Sequence, residues 1–334
     1  MLLQHLRAFL LPLFLSLPLL VSAGPFSNLY VFGDSLSDTG NLLGTGATRP
    51  FPFAGPYLGD RFSNGPLWVE HFAAGLGLSP LAAAPYIYGG NNFAFAGAQT
   101  GTYPAPPADQ IPGVLAQVGG IFAPTRTGPL NPADPNALYV VMAGGNDMRD
   151  ARTLFTTNSV ADIAGRQLAA VNAINNLATT LSLLAQLGAK NILVATLPDL
   201  GITPEAALVG LQAASTDATD RFNALIPLLM GAGSSFGLTM NLLDLASLTD
   251  SIQANPASFG ITDISHPCAG FLFSTGVSCA QSAFSDILHP SAYVHSLIGR
   301  QALLVFGIPE PDTLALFAFA FVALAVGRRR RANA

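Results

Sequence analysis

The chain has 334 residues, half of them hydrophobic and only 10% charged, with a formal net charge of −5. An acidic balance with a single lysine, Lys190, argues against a nucleic-acid partner, which requires a basic face to neutralise phosphates. The mean hydropathy of +0.46 is raised by two apolar ends, so it does not describe a protein of many membrane spans.

Taken in chain order, residues 1–23 read as a signal peptide. His5 and Arg7 give a basic start, Ala8 to Leu20 is apolar, and Val21-Ser22-Ala23 is a small-residue ending suited to cleavage after Ala23. Pro12 and Pro18 interrupt the apolar run and leave it short for a membrane anchor. From residue 24 to residue 308 no linker interrupts the chain, a length that a single α/β domain accommodates.

Leu29 to Phe32, Ala137 to Met142 and Asn191 to Leu197 are short apolar runs that end in Gly, Asn, Asp or Pro clusters, and they predict buried strands. Ser159 to Leu187 and Glu205 to Leu229 carry apolar residues at spacings of three and four, and predict long helices. Strands alternating with helices imply a parallel sheet covered on both faces, with ligands beyond the carboxyl ends of the strands. Ser35, Asn146 and Asp199 fall at such ends. Thr45 to Pro66 and Pro104 to Pro112 are loops rich in Gly, Pro and aromatics, candidates for walls or a lid.

Ser35 follows the first strand in the run VFGDSLSDTGN. Gly33 and Gly40 would permit a sharp exit that lifts its hydroxyl, although a serine here equally suits a helix N-cap. Cys268 and Cys279 close a short loop, and in an oxidising compartment they should pair as a disulfide that pins the chain leading into Asp286 and His289. Two cysteines without further ligands do not make a zinc site.

Four blocks carry a family resemblance: Phe32 to Asn41, Asn92 to Ala98, Gly144 to Asp147, and Asp286 to Pro290. In this order the chain resembles the GDSL esterases and lipases of the SGNH hydrolase superfamily across residues 27 to 300. The resemblance implies a three-layer α/β/α sandwich with a flavodoxin-like parallel sheet, and an enzyme that hydrolyses carboxylic esters. It implies Ser35 as nucleophile, His289 as general base and Asp286 as the carboxylate that orients the imidazole. It assigns the oxyanion donors to the Ser35 and Gly97 backbone N–H groups and the Asn146 side-chain amide. The chemistry asks for the same parts: a serine hydroxyl needs a base to take its proton, and the base needs an acceptor on its other nitrogen.

Asp34, Asp38 and Asp147 read as supports that cap turns and orient Ser35 and Asn146. No metal and no cofactor is expected. Among the histidines, His266 competes with His289, because Asp263 stands three residues before it and Pro267 follows it. His289 is preferred because it comes after the disulfide loop and ahead of the terminal helix. His71 and His295 lie in helical patterns and read as packing residues.

At the carboxyl end, Pro309-Glu310-Pro311 introduces an apolar stretch from Leu314 to Val326, and Arg328 to Arg331 follow. Residues 309–334 resemble a PEP-CTERM sorting signal. The resemblance implies membrane transit, tail processing by a sorting enzyme and display at the surface or outside the cell, the alternative being a C-terminal segment that stays uncut as an anchor in the cell membrane; signal peptidase, from the amino-terminal reading, and the sorting enzyme are the expected partners. The ester substrate stays open between acyl lipids and short-chain esters. The alternatives are an acetylesterase acting on surface polysaccharide, an acyltransferase and a non-catalytic matrix protein.

Overall fold

A computed structural model describes residues 24–49, 57–102, 111–126, 131–268 and 277–309. The expected signal peptide and nearly all of the sorting tail lie outside them. Four strands form one parallel sheet: β1 (Leu29–Gly33), β2 (Leu138–Met142), β3 (Asn191–Ala195) and β4 (Thr239–Leu243), side by side in that order. Residues 91–95 run along the free edge of β1, with Phe93 N donating to Val31 O at 2.7 Å and Phe95 N to Gly33 O at 3.1 Å. Counting that edge, the second segment in chain order lies outside the first, which is the flavodoxin-like winding. The winding reverses between β1 and β2, and the crevice at their carboxyl ends is therefore where a ligand is expected.

Every residue of β1 and β2 is buried, because helices cover both faces. Side chains alternate: Tyr30, Phe32, Tyr139, Val141, Ile192 and Val194 enter one core, while Leu29, Val31, Leu138, Val140 and Leu193 enter the other. The first core is closed by α3 (Val160–Leu187) and α5 (Gln212–Ser235). The second is closed by α1 (Trp68–Gly75), α6 (Leu245–Ala254) and α7 (Ala292–Val305). Two further helices are α2 (Gly145–Leu154), which follows β2, and α4 (Pro204–Val209).

The helix predicted from Ser159 begins there, since Ser159 Oγ accepts from Asp162 N at 3.1 Å, and it stops at Gly188 in the left-handed region. By length and composition α3 could cross a membrane, but Ala170, Ile174, Leu177 and Leu181 pack into the core. The single helix predicted over Glu205 to Leu229 is instead two. Thr203 Oγ1 caps α4, Gly210 ends it at φ 69°, and α5 restarts at Gln212 and runs through Pro227 to Ser235. The strand β4 was not expected, because as an edge strand most of its residues are only partly buried and it shows no continuous apolar run.

A second, two-stranded sheet pairs β5 (Asp263–Pro267) with β6 (Ser282–Phe284). The disulfide Cys268–Cys279 joins the ends of this unit, as expected, and Cys268 N donates to Phe284 O at 2.9 Å. Leaving β6, the chain turns tightly, with Ser285 N donating to His289 O at 2.8 Å, and enters α7 through the Ser291 cap. That turn holds Asp286 and His289.

Candidate active site

Ser35 stands two residues beyond the end of β1, in a turn closed by Ser37 N and Asp38 N donating to the Asp34 carbonyl at 3.0 and 2.9 Å. Gly33 is required by closeness: a Cβ there would sit 2.5 Å from Met142 O of the neighbouring strand. Across the crevice, His289 Nε2 lies 2.8 Å from Ser35 Oγ, and its Nδ1 lies 2.7 Å from Asp286 Oδ2. Asp286 and His289 are 2% and 4% exposed, so the relay is screened from water except at the serine end.

Asp286 accepts more than the imidazole. Its Oδ1 takes the backbone N–H groups of Leu288 at 2.7 Å and His289 at 2.6 Å, and its Oδ2 takes the Tyr57 hydroxyl at 2.6 Å. Burial opposes ionisation of this carboxyl, but the His289 charge and the hydrogen bonds from His289 and Tyr57 outweigh it and hold the carboxyl below its ordinary range. Burial first, and then the Asp286 charge, push the Tyr57 phenol well above its usual value, so it stays a donor. The Arg49 guanidinium lies 4.3 Å from the Tyr57 ring centre, and the Phe62 ring is 5.1 Å from the imidazole. Tyr57 and Phe62 belong to the aromatic-rich Thr45 to Pro66 loop that the sequence marks as a candidate wall or lid. Tyr57 and Phe62 brace the Asp286–His289 pair, Phe62 also lines the cleft at Ser35, and Phe51 and Phe53 lie outside the described residues.

The rival, His266, reproduces only the local half of the arrangement. Its Nδ1 lies 3.2 Å from Asp263 Oδ2 and its N–H donates to Asp263 Oδ1 at 3.0 Å, but the ring is exposed and does not line the crevice at Ser35. His295 is fully buried in α7, where Nδ1 accepts from Trp68 N at 3.3 Å; burial pushes it down to about 3, so it packs as a neutral ring.

Of the three supporting carboxylates, Asp34 and Asp38 stand in the turn after β1 and Asp147 in the first turn of α2. Asp38 is fully buried and accepts from four backbone N–H groups: Gly40 at 2.8 Å, Asn41 at 2.6 Å, Leu42 at 3.1 Å and Ala96 at 2.8 Å. It therefore ties the turn after Ser35 to the segment that ends at Gly97. Asn41 and Asn92 reinforce the tie, with Asn41 Nδ2 donating to Asn92 O and Ala94 O and Asn92 Nδ2 donating to Ser37 O at 2.6 Å. Asp147 accepts from Thr100 N and from Thr100 Oγ1 at 2.7 Å, anchoring the far side of that segment to α2. Asp34 accepts from Leu36 N at 3.0 Å. Burial pushes Asp34 and Asp147 each up to about 6.

Gly97 has φ 83°, a conformation that side chains rarely adopt. Asn146, at the start of α2, donates one amide hydrogen to Ala98 O at 2.9 Å, which leaves the other for a ligand. Ser35, Gly97, Asn146 and His289 all line one cleft. Gln117, which no motif singles out, locks the end of β1: Gly33 N donates to its Oε1 at 2.9 Å and its Nε2 donates to Gly33 O at 2.8 Å. Its separation of 84 residues from Gly33 hides this from any local pattern. Arg149, one turn after Asn146, also reaches the crevice while its guanidinium engages Glu205, which Arg152 shares. Among the described residues no group of three or more His, Cys, Asp or Glu could hold a metal ion.

Comparisons with known proteins place this geometry in context. The chain is 29% identical to the esterase EstA of Pseudomonas aeruginosa over 87% of its own length and 48% of that protein. It is 26% identical to a phosphatidylcholine-sterol acyltransferase of Aeromonas hydrophila, over 78% of this chain and 71% of that one. It spans about half the length of the first curated relatives it matches. Among solved structures, a carbohydrate acetylesterase of Sinorhizobium meliloti aligns with TM-score 0.45 and 16% identity, over 87% of this chain and 99% of that one. The model of the PEP-CTERM protein-sorting motif matches residues 307–331, and that of the GDSL-like lipase/acylhydrolase family matches residues 29–302. The chain therefore belongs to the GDSL-like lipase/acylhydrolase family and carries a PEP-CTERM sorting motif at its carboxyl end.

Proposed function

We propose that this protein is an exported serine hydrolase that cleaves carboxylic esters through an acyl-Ser35 intermediate. The observation that carries the proposal is the unbroken line from Ser35 Oγ to His289 Nε2, at 2.8 Å, and from His289 Nδ1 to Asp286 Oδ2, at 2.7 Å. As Oγ attacks the carbonyl carbon, His289 Nε2 takes its proton, and Asp286 stabilises the imidazolium. The oxyanion gathers the Ser35 N–H, the Gly97 N–H and the free hydrogen of the Asn146 amide, donors worth about 10²- to 10³-fold each in turnover. The imidazolium then protonates the departing alkoxide. Water, deprotonated by His289, attacks the acyl carbon, and the acid leaves as Oγ recovers its proton. The cycle balances without a cofactor.

In this reading residues 1–23 are removed by signal peptidase, 24–308 form the hydrolase domain, and 309–334 direct the protein to a tail-processing enzyme at the cell envelope. The sorting motif supports export. Transfer of the acyl group to an alcohol instead of water is a second reading, favoured by the acyltransferase among the relatives.

The test is hydrolysis of p-nitrophenyl acetate, butyrate, octanoate and palmitate by the full chain, with and without an acceptor alcohol, beside Ser35→Ala, His289→Ala and His266→Ala. The first two variants should lose activity by about 10⁴-fold or more, while His266→Ala retains it. Turnover that survives Ser35→Ala would sink the mechanism.

A further inference from the structure

Two clefts meet at Ser35, and Ser35, Asn146, Arg149, Leu288 and His289 stand in the walls of both. An ester held by its carbonyl carbon at Ser35 has two arms, the acyl chain and the alcohol. The two clefts differ in what they offer those arms.

The first cleft runs from Ser35 between residues 198–203, α6, the β5–β6 unit and the start of α7. Its apolar wall is built from Leu36, Ile202, Ile252, Ile264, Phe284 and Val294. Of the polar residues that line it, Thr203, Thr249 and Asp199 are bonded to their own surroundings, whereas Asn146 beside Ser35 keeps one amide hydrogen for a ligand. Thr203 Oγ1 donates to Leu200 O at 2.8 Å, and Thr249 Oγ1 to Leu245 O at 2.9 Å. Asp199 accepts from Gly201 N at 2.7 Å and Thr216 Oγ1 at 2.9 Å. These three side chains thus have little hydrogen bonding left for a ligand, and the cleft favours hydrocarbon. The second cleft contains Gly97 and is bounded by Ala47 and Thr48, both exposed, so it opens to solvent.

We infer that the first cleft is the acyl-chain site, built for a fatty acyl group well beyond acetyl, and that the second cleft receives the alcohol. This rests on the ester-hydrolase reading and extends it to a substrate class. An acetyl group would contact only the wall beside Ser35 and leave the surfaces of Ile252 and Val294 uncovered. Each methylene buried along that wall should instead raise kcat/KM by about fourfold until the cleft is full.

The experiment measures kcat/KM for p-nitrophenyl acetate, butyrate and octanoate with the full chain and with Ile202→Trp, Ile264→Trp and Thr48→Trp. Ile202 and Ile264 are half-buried, so an indole there projects into the first cleft. Wild type should prefer butyrate over acetate by more than about tenfold and octanoate by more again until the cleft is full, and each isoleucine variant should cut the octanoate-to-acetate ratio by about tenfold. Thr48→Trp should leave the ratio in place. Urea midpoints identify a variant that fails to fold. Wild-type inactivation by p-nitrophenyl alkylphosphonates of increasing chain length supplies a readout that needs no variant, and its rate should climb with the chain. Ser35-dependent hydrolysis or inactivation that is flat with chain length overturns the cleft assignment alone. So does an octanoate preference that collapses in Thr48→Trp but not in the isoleucine variants. Absence of any Ser35-dependent hydrolysis overturns the hydrolase reading beneath it.

Discussion

Asp38→Asn is the substitution that tests how the Ser35 turn and the Gly97 segment are held together. The carboxylate uses both oxygens, Oδ1 for the amides of Gly40 and Asn41 and Oδ2 for those of Leu42 and Ala96. Burial holds this carboxyl above its ordinary value against the pull of the four amides, and the carboxylate is the form that satisfies all four. Asparagine replaces one oxygen with an NH₂ group. Whichever way the amide is turned, two backbone donors then face another donor, and at least one of them is fully buried. Each orphaned donor costs about 1–3 kcal/mol, so the variant should lose about 2–4 kcal/mol of stability near neutral pH. The Ala96 amide adjoins Gly97, so kcat should fall as well, with little change in KM. Urea unfolding and ester hydrolysis at one pH measure both effects. A stability loss under about 1 kcal/mol would refute the claim that this carboxylate is the knot between the two segments.

Two further outcomes follow from the same geometry. Tyr57→Phe removes one of the donors to Asp286 and should lower kcat by about tenfold while shifting the urea midpoint little; an unchanged kcat would show that the hydroxyl only fills space. Asp34→Asn should alter stability in a pH-dependent way. A carboxyl raised from 3.8 to about 6 keeps its proton longer when folded, so wild-type stability falls as pH rises from about 4 to about 6, by about 3 kcal/mol. The variant lacks that loss and should gain on wild type near neutral pH but not near pH 4, as read by urea unfolding at both. An equal difference at the two pH values would contradict it. Asp147, also raised to about 6, should leave a residual slope in the variant.

The sequence by itself determined the three inner strands, the helix from Ser159 to Gly188 and the parts of the site that follow strands. Those features depend on short-range rules: apolar runs for buried strands, a serine cap, a glycine stop and a turn after β1. It misread α4 and α5 as one helix because a lone glycine is tolerated inside a helical pattern, and only the left-handed backbone of Gly210, at φ 69°, makes it a stop. It passed over β4 because an edge strand has no fully apolar pattern to show. Asp263–His266 and Asp286–His289 have the same spacing, and each pair makes the same local hydrogen bonds, from the histidine N–H to Oδ1 and from the ring to the carboxylate. A choice between them can be favoured from order along the chain, but the decision is made by packing. β6 and the turn beyond it carry His289 across 254 residues of sequence to Ser35, while His266 faces solvent. Tyr57 on Asp286 and Gln117 on Gly33 belong to the same class. Contacts between segments so far apart in sequence form only when the sheet and its covering helices close, so no local pattern of residues encodes them.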